Sequence, residues 1–409
     1  MNSFATVSGF FSRNRKVFTL GFIGLMISSV GDLLAGATLG SMTETLTELA
    51  GLMILIPPAI GMRGNIFGAL GSRLGTSMNI GTFELSLRKG GLLRQNFEAS
   101  LLLTVIMSFL MGVMASAIAT LLGVDAEPID VFVFISVVGG VLAGIVLVFI
   151  NILVAYVGFE RGWDIDNFSA PIITAAGDVV TLPMLFLAAI LVKDGYTSQA
   201  FLEAFTLVLL AIAIYLTWRV WRMHAGETRR IVMQTAPVLV LCIILDIGAG
   251  LTIDNEIGAL VASAALLVVI PPFLEDANAL GGILTSRLAS LLHMGLLEPK
   301  KIPSKLALEN FAIIYIFAIW VFTLVGVTAY IVALALGLGS PSFFGLVGIS
   351  LLAGMLTVTV LNLISYYVAI STFKFNLDPD DHSIPLTSSA IDFVGAVFFI
   401  AIVVLLGGL

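Results

Sequence analysis

Seven side chains stand out for the chemistry they can do: Asp32, Asp178, Asp246, Asp276 and Asp392, with Asn65 and Asn278. Each lies within an apolar run long enough to cross a bilayer. Ionisable groups at membrane depth are costly, so by default they mark ion paths, proton relays or ligand sites. Carboxylate and amide oxygens are hard ligands of the kind that Mg²⁺ or Ca²⁺ takes. Asp178 sits in Ala-Ala-Gly-Asp-Val-Val, about ten residues into its run, which is mid-bilayer at ~1.5 Å per residue. Asp392 has the same depth in the last run. Two such charges in a low dielectric repel, so one takes a proton or a cation sits between them. Gly177, before Asp178, allows close approach on one side only, because Ile391 precedes Asp392. For Asp32 and Asp246, toward the outer third of their runs, two readings stand: attracting cations at a mouth, or capping a helix end.

A second constellation is Pro57-Pro58-Ala-Ile-Gly61-Met-Arg63-Gly64-Asn65. Two prolines and two glycines in mid-run are expected to break the helix. Carbonyls freed at membrane depth are tolerated where they line protein or water. The later counterpart reads Pro271-Pro272-Phe-Leu-Glu275-Asp276-Ala-Asn278 and is more acidic. Arg63 is expected to pair with Glu275 or Asp276 across the interface of the two copies. Asn151 and Asn362 are weaker candidates, three residues out of the common register, so their equivalence requires a small insertion.

These residues come in two sets. At a fixed offset of 214, Asp32 falls on Asp246, Gly36 on Gly250 and Pro57-Pro58 on Pro271-Pro272. Ser72-Arg73-Leu74 falls on Ser286-Arg287-Leu288, and Asn96-Phe97 on Asn310-Phe311. Asp164, Pro171 and Asp178 fall on Asp378, Pro385 and Asp392. Apolar positions coincide by chance in such a chain, whereas Pro, Asp and Arg rarely do. The chain therefore reads as a duplicated unit, residues 1–195 and 231–409, with 196–230 as an unpaired link.

Of the 409 residues, 59% are hydrophobic and 11% charged, against about 45–50% and 25% in soluble domains. The mean hydropathy is +1.11. Apolar runs of about 20 residues, enough to cross ~30 Å of hydrocarbon, recur throughout. The fold class is an all-α polytopic membrane protein with about eleven spans: 17–38, 43–74, 99–122, 130–157, 168–192, an unpaired 200–222, then 232–252, 257–288, 308–337, 342–370 and 384–407. Arg13, Arg15 and Lys16 precede the first run; this resembles a signal peptide, but a segment whose Asp32 is duplicated is not expected to be cleaved.

Lys and Arg concentrate on one side: Arg13, Arg15, Lys16; Arg88, Lys89, Arg94; Arg219, Arg222, Arg229, Arg230; Lys300, Lys301, Lys305; Lys374. Glu44, Glu48, Asp125, Glu127, Asp130, Asp254 and Glu256 mark the other. The pattern places the N-terminus in the cytoplasm and the C-terminus outside. Five spans reverse the chain's side, and the sixth restores it. Both copies then share one orientation, related by a pseudo-two-fold along the membrane normal, so that a monomer mimics a homodimer. The segment 75–98 is expected to lie along the cytoplasmic face, either as an amphipathic gate or as an ordinary connector.

The one Cys and three scattered His exclude a Zn or Cu cluster, no phosphate-binding loop is present, and no basic run suggests nucleic acid.

At Pro58–Gly81 and Trp163–Leu182 the sequence resembles the MgtE-type magnesium transporters, in particular the two-repeat branch known as solute carrier family 41. The resemblance covers nearly the whole chain, twice. It implies a cation path between two five-helix units, with Mg²⁺ as the ion and Na⁺ as a conceivable coupling ion. It places the central ion-site aspartate at Asp178 and Asp392. The P-x-x-x-G-x-x-G-N stretch is complete in the first copy alone, since Glu275 and Asn278 replace Gly61 and Gly64. The large cytoplasmic regulatory region of bacterial members is not carried over, as sixteen residues precede the first span.

The expected function is divalent cation transport, most readily of Mg²⁺, past Asp178 and Asp392, with oxygens from Asn65, Asp276 and Asn278. Asp32 and Asp246 complete the candidate metal residues. A passive pore and Na⁺-coupled exchange both suit this site. The expected setting is the plasma membrane, with the lipid bilayer and the cation as partners, and the chain is not expected to be an enzyme. The alternative is an intramembrane aspartyl protease whose two aspartates share a proton. Against it, Asp178 and Asp392 are copies of one motif.

Overall fold

The computed structural model describes residues 15–86, 88, 90–161, 169–224, 226–375 and 384–406. Arg13, Lys89, Asp164, Asp378 and His382, which entered the patterns above, lie outside the described residues. All regular structure among the described residues is helical. The helices are α1 (Arg15–Ser41), α2 (Thr43–Glu48) and α3 (Leu52–Arg63), then a π-helical turn Gly64–Gly68 leading into α4 (Ala69–Asn79). They continue as α5 (Leu92–Leu122), α6 (Ile129–Arg161), α7 (Ser169–Lys193) and α8 (Gln199–Arg222). The remainder are α9 (Glu227–Asp254), α10 (Ile257–Ala262), α11 (Ala265–His293), α12 (Lys305–Leu336), α13 (Phe343–Phe375) and α14 (Ile384–Leu405).

Among the described residues, ten segments, with α3 through α4 taken as one, are long and apolar enough to cross a membrane. α1, with 27 residues, has a comparable length. Helices satisfy their own backbone groups, which is what hydrocarbon surroundings demand. Their ends are marked locally. Gly123 and Gly337 close α5 and α12 in the left-handed conformation, at φ 69° and 67°. Ser198 and Ser304 cap α8 and α12 through their hydroxyls.

The helices recur at the sequence offset. α2 and α10, six residues each, begin 214 residues apart, as do α6 and α13, 33 residues each. Because α6 and α13 match end to end, no insertion lies between them. The residue matching Asn151 is Ser365, and Asn362 lies one turn earlier.

The proline pairs do not break the chain. Pro57 and Pro58 lie inside α3, and Pro271 and Pro272 inside α11. The first copy alone leaves α geometry, at the π turn that contains Gly64 and Gly68. In the second copy α11 runs through without interruption. Glu275 and Asn278 there replace two glycines, and both are better helix formers. Segment 75–98 divides between the end of α4, an irregular stretch and the start of α5. Gly81 and Gly90 turn that stretch at φ 73° and 83°, and Phe83 folds back, buried, against Phe159. It is a connector, with no helix of its own among the described residues.

The first helices are exchanged between copies. α1 packs on α7 of its own copy and on α11 and α12 of the other. α9 packs on α14 of its own copy and on α3 and α5 of the other. Glycine permits these crossings: Gly36 meets the backbone of Val268 on α11, and a Cβ on Gly250 would come 2.7 Å from the Ile54 carbonyl oxygen of α3. α8 lies outside this arrangement against α5, α6 and α9, and is the least buried of the long helices.

Candidate metal centre

Each first-helix aspartate lies against the fifth-helix aspartate of its own copy, and the exchange sets α1 beside Asp276 of the other. Asp32 of α1 lies within hydrogen-bonding reach of Asp178 of α7. Ionised carboxylates have only acceptors, so this approach calls for a proton or a cation between them. Ser28 Oγ donates to Asp32 Oδ2 at 3.2 Å. Ser29 Oγ lies 2.9 Å from both oxygens of Asp276, which ties α1 to α11 beside the pair. On the other side Asp246 of α9 neighbours Asp392 of α14. Asn278 Nδ2 donates to Asp392 Oδ1 at 2.9 Å, and Ser389 lies beside Asp246.

All five aspartates are at most 3% exposed. Both oxygens of Asp178 and both of Asp246 lack a hydrogen-bond partner. Buried polar groups are nearly always satisfied, so four bare carboxylate oxygens are unusual, and their chemistry is that of hard-cation ligands. The two pairs are within electrostatic reach of one another through Asp178 and Asp392. Asp32 and Asp246 both lie inside their helices, several residues before the ends. Helix capping is therefore excluded for both, and they join the fifth-helix aspartates.

Beside this cluster, the two proline-bearing helices line a small, mostly apolar cavity. Ile56, Pro57 and Ile60 of α3 face Ile270, Pro271 and Leu274 of α11, and these residues match at the repeat offset. Glu275 and Asp392 are its charged lining. Among the described residues, no three Asp, Glu, His or Cys side chains converge to ligate one ion between them.

Arg63 does not pair with Glu275 or Asp276. Its guanidinium points the other way, into the first copy, where Nη2 donates to Ser108 Oγ of α5 at 2.9 Å. It lies against Gly140 of α6, and its Nε and Nη1 have no partner. α3 packs on α7, where a Cβ built on Gly177 would come 3.9 Å from Arg63 Cβ; the Arg63 side chain itself runs between α5 and α6, away from the acids. In the second copy, Ala277 replaces Arg63 and Phe322 replaces Ser108; the Phe322 ring lies on Gly354, the match of Gly140. Gly177 and Ile391 form a similar exchange. Ile391 Cδ1 lies over Gly281, whose match in the first copy is Phe67.

Of the seven sequence candidates, the structure brings together Asp32, Asp178, Asp246, Asp276, Asp392 and Asn278. Asn65 is buried on the π turn, its amide nitrogen without a partner. Sequence reasoning missed Ser28, Ser29, Ser389 and the position of Glu275. Ser28 and Ser389 stand one helical turn before Asp32 and Asp392, a spacing that could have shown them.

The family pattern of MgtE, described as a divalent cation transporter, matches this chain twice, over residues 56–188 and 270–402. Among curated proteins, the chain is 23% identical to solute carrier family 41 member 3 of Rattus norvegicus over 397 residues, 91% of this chain and 84% of that one. It is 25% identical to solute carrier family 41 member 2 of Homo sapiens over 288 residues, 66% of this chain and 48% of that one. No solved structure matches the chain.

Proposed function

Because this chain belongs to the MgtE family of divalent cation transporters, whose pattern it matches twice, we propose that its cargo is Mg²⁺ and that the ion passes Asp178 and Asp392 between the two copies. The chain is an integral membrane protein, and membership in a transporter family sets the protease reading aside. The observation that carries the proposal is the pair of buried aspartate pairs, Asp32 with Asp178 and Asp246 with Asp392. Their oxygens include five that are buried and unpartnered, and no Lys or Arg is bound to them among the described residues. A fixed cluster of anions without fixed cations is complementary to a mobile cation.

Residues 1–195 and 231–409 act as the two five-helix units, with 196–230 as the link that keeps them parallel. The pseudo-two-fold axis runs between them, and one chain suffices for the path. The Lys- and Arg-rich flanks put the N-terminus in the cytoplasm and the C-terminus outside a plasma membrane. Mg²⁺ dehydrates reluctantly. Asp178 and Asp392 therefore hold it mainly through its waters, and Asp32, Asp246, Asp276 and Asn278 accept further water hydrogens. Asn65 stands further along the same path.

The test is Mg²⁺ uptake into proteoliposomes by Asp178→Asn and Asp392→Asn, both checked for folding. Each is expected to lose uptake. Flux equal to wild type in folded variants would sink the assignment. The same vesicles with and without a Na⁺ gradient distinguish a passive path from Na⁺-coupled exchange.

A further inference from the structure

Glu275 has no acidic counterpart. Its match at the repeat offset is Gly61. A Cβ built on Gly61 would stand 3.0 Å from Asp246 Oδ2 and 3.8 Å from Asp392 Oδ2. This position on α3 therefore points directly at one aspartate pair. The matching position on α11 carries a full carboxylate. Glu275 is an electrostatic neighbour of Asp32 and Asp178 on one side and of Asp246 and Asp392 on the other. It also lines the apolar cavity between α3 and α11, together with Asp392. Arg63, the cation expected to neutralise it, is turned into the first copy, and no Lys or Arg pairs with Glu275 among the described residues.

An anion placed between two anionic pairs, beside a mostly apolar cavity and without a counter-charge, is unfavourable to the fold by itself. It becomes favourable when the space between the pairs holds positive charge. The oxygens of Asp178 and Asp246, both neighbours of Glu275, are buried and unpartnered. One added carboxylate raises the charge needed for neutrality, and a divalent ion meets that need better than a monovalent one. Ligand charge count is the lever by which hard-cation sites tune affinity over several decades.

We infer that Glu275 is a further carboxylate of the cation path, bridging the two aspartate pairs, and that it sets the preference for divalent over monovalent cations. This rests on the proposed transport function and adds a selectivity residue to it.

The experiment uses the full chain in proteoliposomes, with Mg²⁺ and Na⁺ as probes, and compares Glu275→Gln, Glu275→Asp and Asp178→Asn. Glu275→Gln keeps size and one acceptor oxygen while removing the charge. It is expected to weaken apparent Mg²⁺ affinity about tenfold and to let Na⁺ compete, with Glu275→Asp recovering most of the difference. Protection of the purified protein by Mg²⁺ against thermal unfolding should fall in parallel, a change that a merely structural residue would not produce. If Glu275→Gln does not fold, Glu275→Gly, which copies Gly61, replaces it. Wild-type Mg²⁺ affinity and Na⁺ exclusion in the Gln or Gly variant, with Asp178→Asn inactive, overturn the inference and leave the transport function standing. If Asp178→Asn is also unaffected, both fall.

Discussion

Replacing Arg63 by Ala and Ser108 by Phe together would write the packing of the second copy into the first. The second copy has Ala277 and Phe322 at these places, and Gly140 already matches Gly354, on which the Phe322 ring lies. Arg63 is wholly buried, with Ser108 as its hydrogen-bond partner and two nitrogens unpartnered. Exchanging buried charge for well-fitting apolar volume is neutral or stabilising by about 1–4 kcal/mol. Ser108→Phe alone drives a ring onto the guanidinium, an overpacking worth about 1–3 kcal/mol of destabilisation. Arg63→Ala alone leaves an unfilled space and unpaired hydroxyls, so its gain from lost charge is largely cancelled. The two changes should therefore couple favourably by about 2 kcal/mol, within the range for residues in contact. Thermal unfolding of the four proteins in detergent measures the coupling, and Mg²⁺ uptake supplies the functional arm. The double variant should be at least as stable as wild type and should transport. A double variant no more stable than Ser108→Phe would refute the packing account. A stable double variant that no longer moves Mg²⁺ would show that the guanidinium serves the ion path.

Two further outcomes follow from the geometry. Gly36→Leu and Gly250→Leu each set a side chain against the backbone of α11 or α3, where nothing can rotate away; each should cost about 1–3 kcal/mol or more and lower the unfolding temperature, and tolerance of both would contradict the exchange of first helices. Glu127, in the loop between α5 and α6, has its carboxyl raised by partial burial, with Asp125 and Asp130 adding to the effect. The folded chain then binds this proton more tightly than the unfolded one, so stability falls as pH rises from the ordinary glutamate value of about 4.3 through the raised one. Glu127→Gln should flatten that part of a melting-temperature profile, and an unchanged slope would remove the assignment.

The duplication was legible because Pro, Asp and Arg are rare in an apolar chain, and their coincidence at one offset carries information that Leu and Val do not. The helices were legible because a bilayer requires about 20 apolar residues per crossing, but α5 starts seven residues before the expected 99, and the expected spans 43–74 and 257–288 each divide into a six-residue helix and a long one. The aspartates were legible as a set, since charge at membrane depth needs a reason.

The directions of side chains were not legible. A helix that is apolar on every side has no amphipathic stripe to say which face is buried or which neighbour it meets. Arg63 and Glu275 look complementary along the chain, yet α3 presents Arg63 to Ser108 and Gly140, while α11 presents Glu275 to the aspartates. Asp32 reads as a candidate cap until α1 is seen crossing beside α7 and α11. By itself, then, the sequence determined the class, the approximate spans, the repeat and which acidic side chains stand at membrane depth. The tertiary structure alone decided that the copies exchange their first helices and, separately, which carboxylates come together, because contacts between helices far apart in the chain set the rotation of each about its own axis.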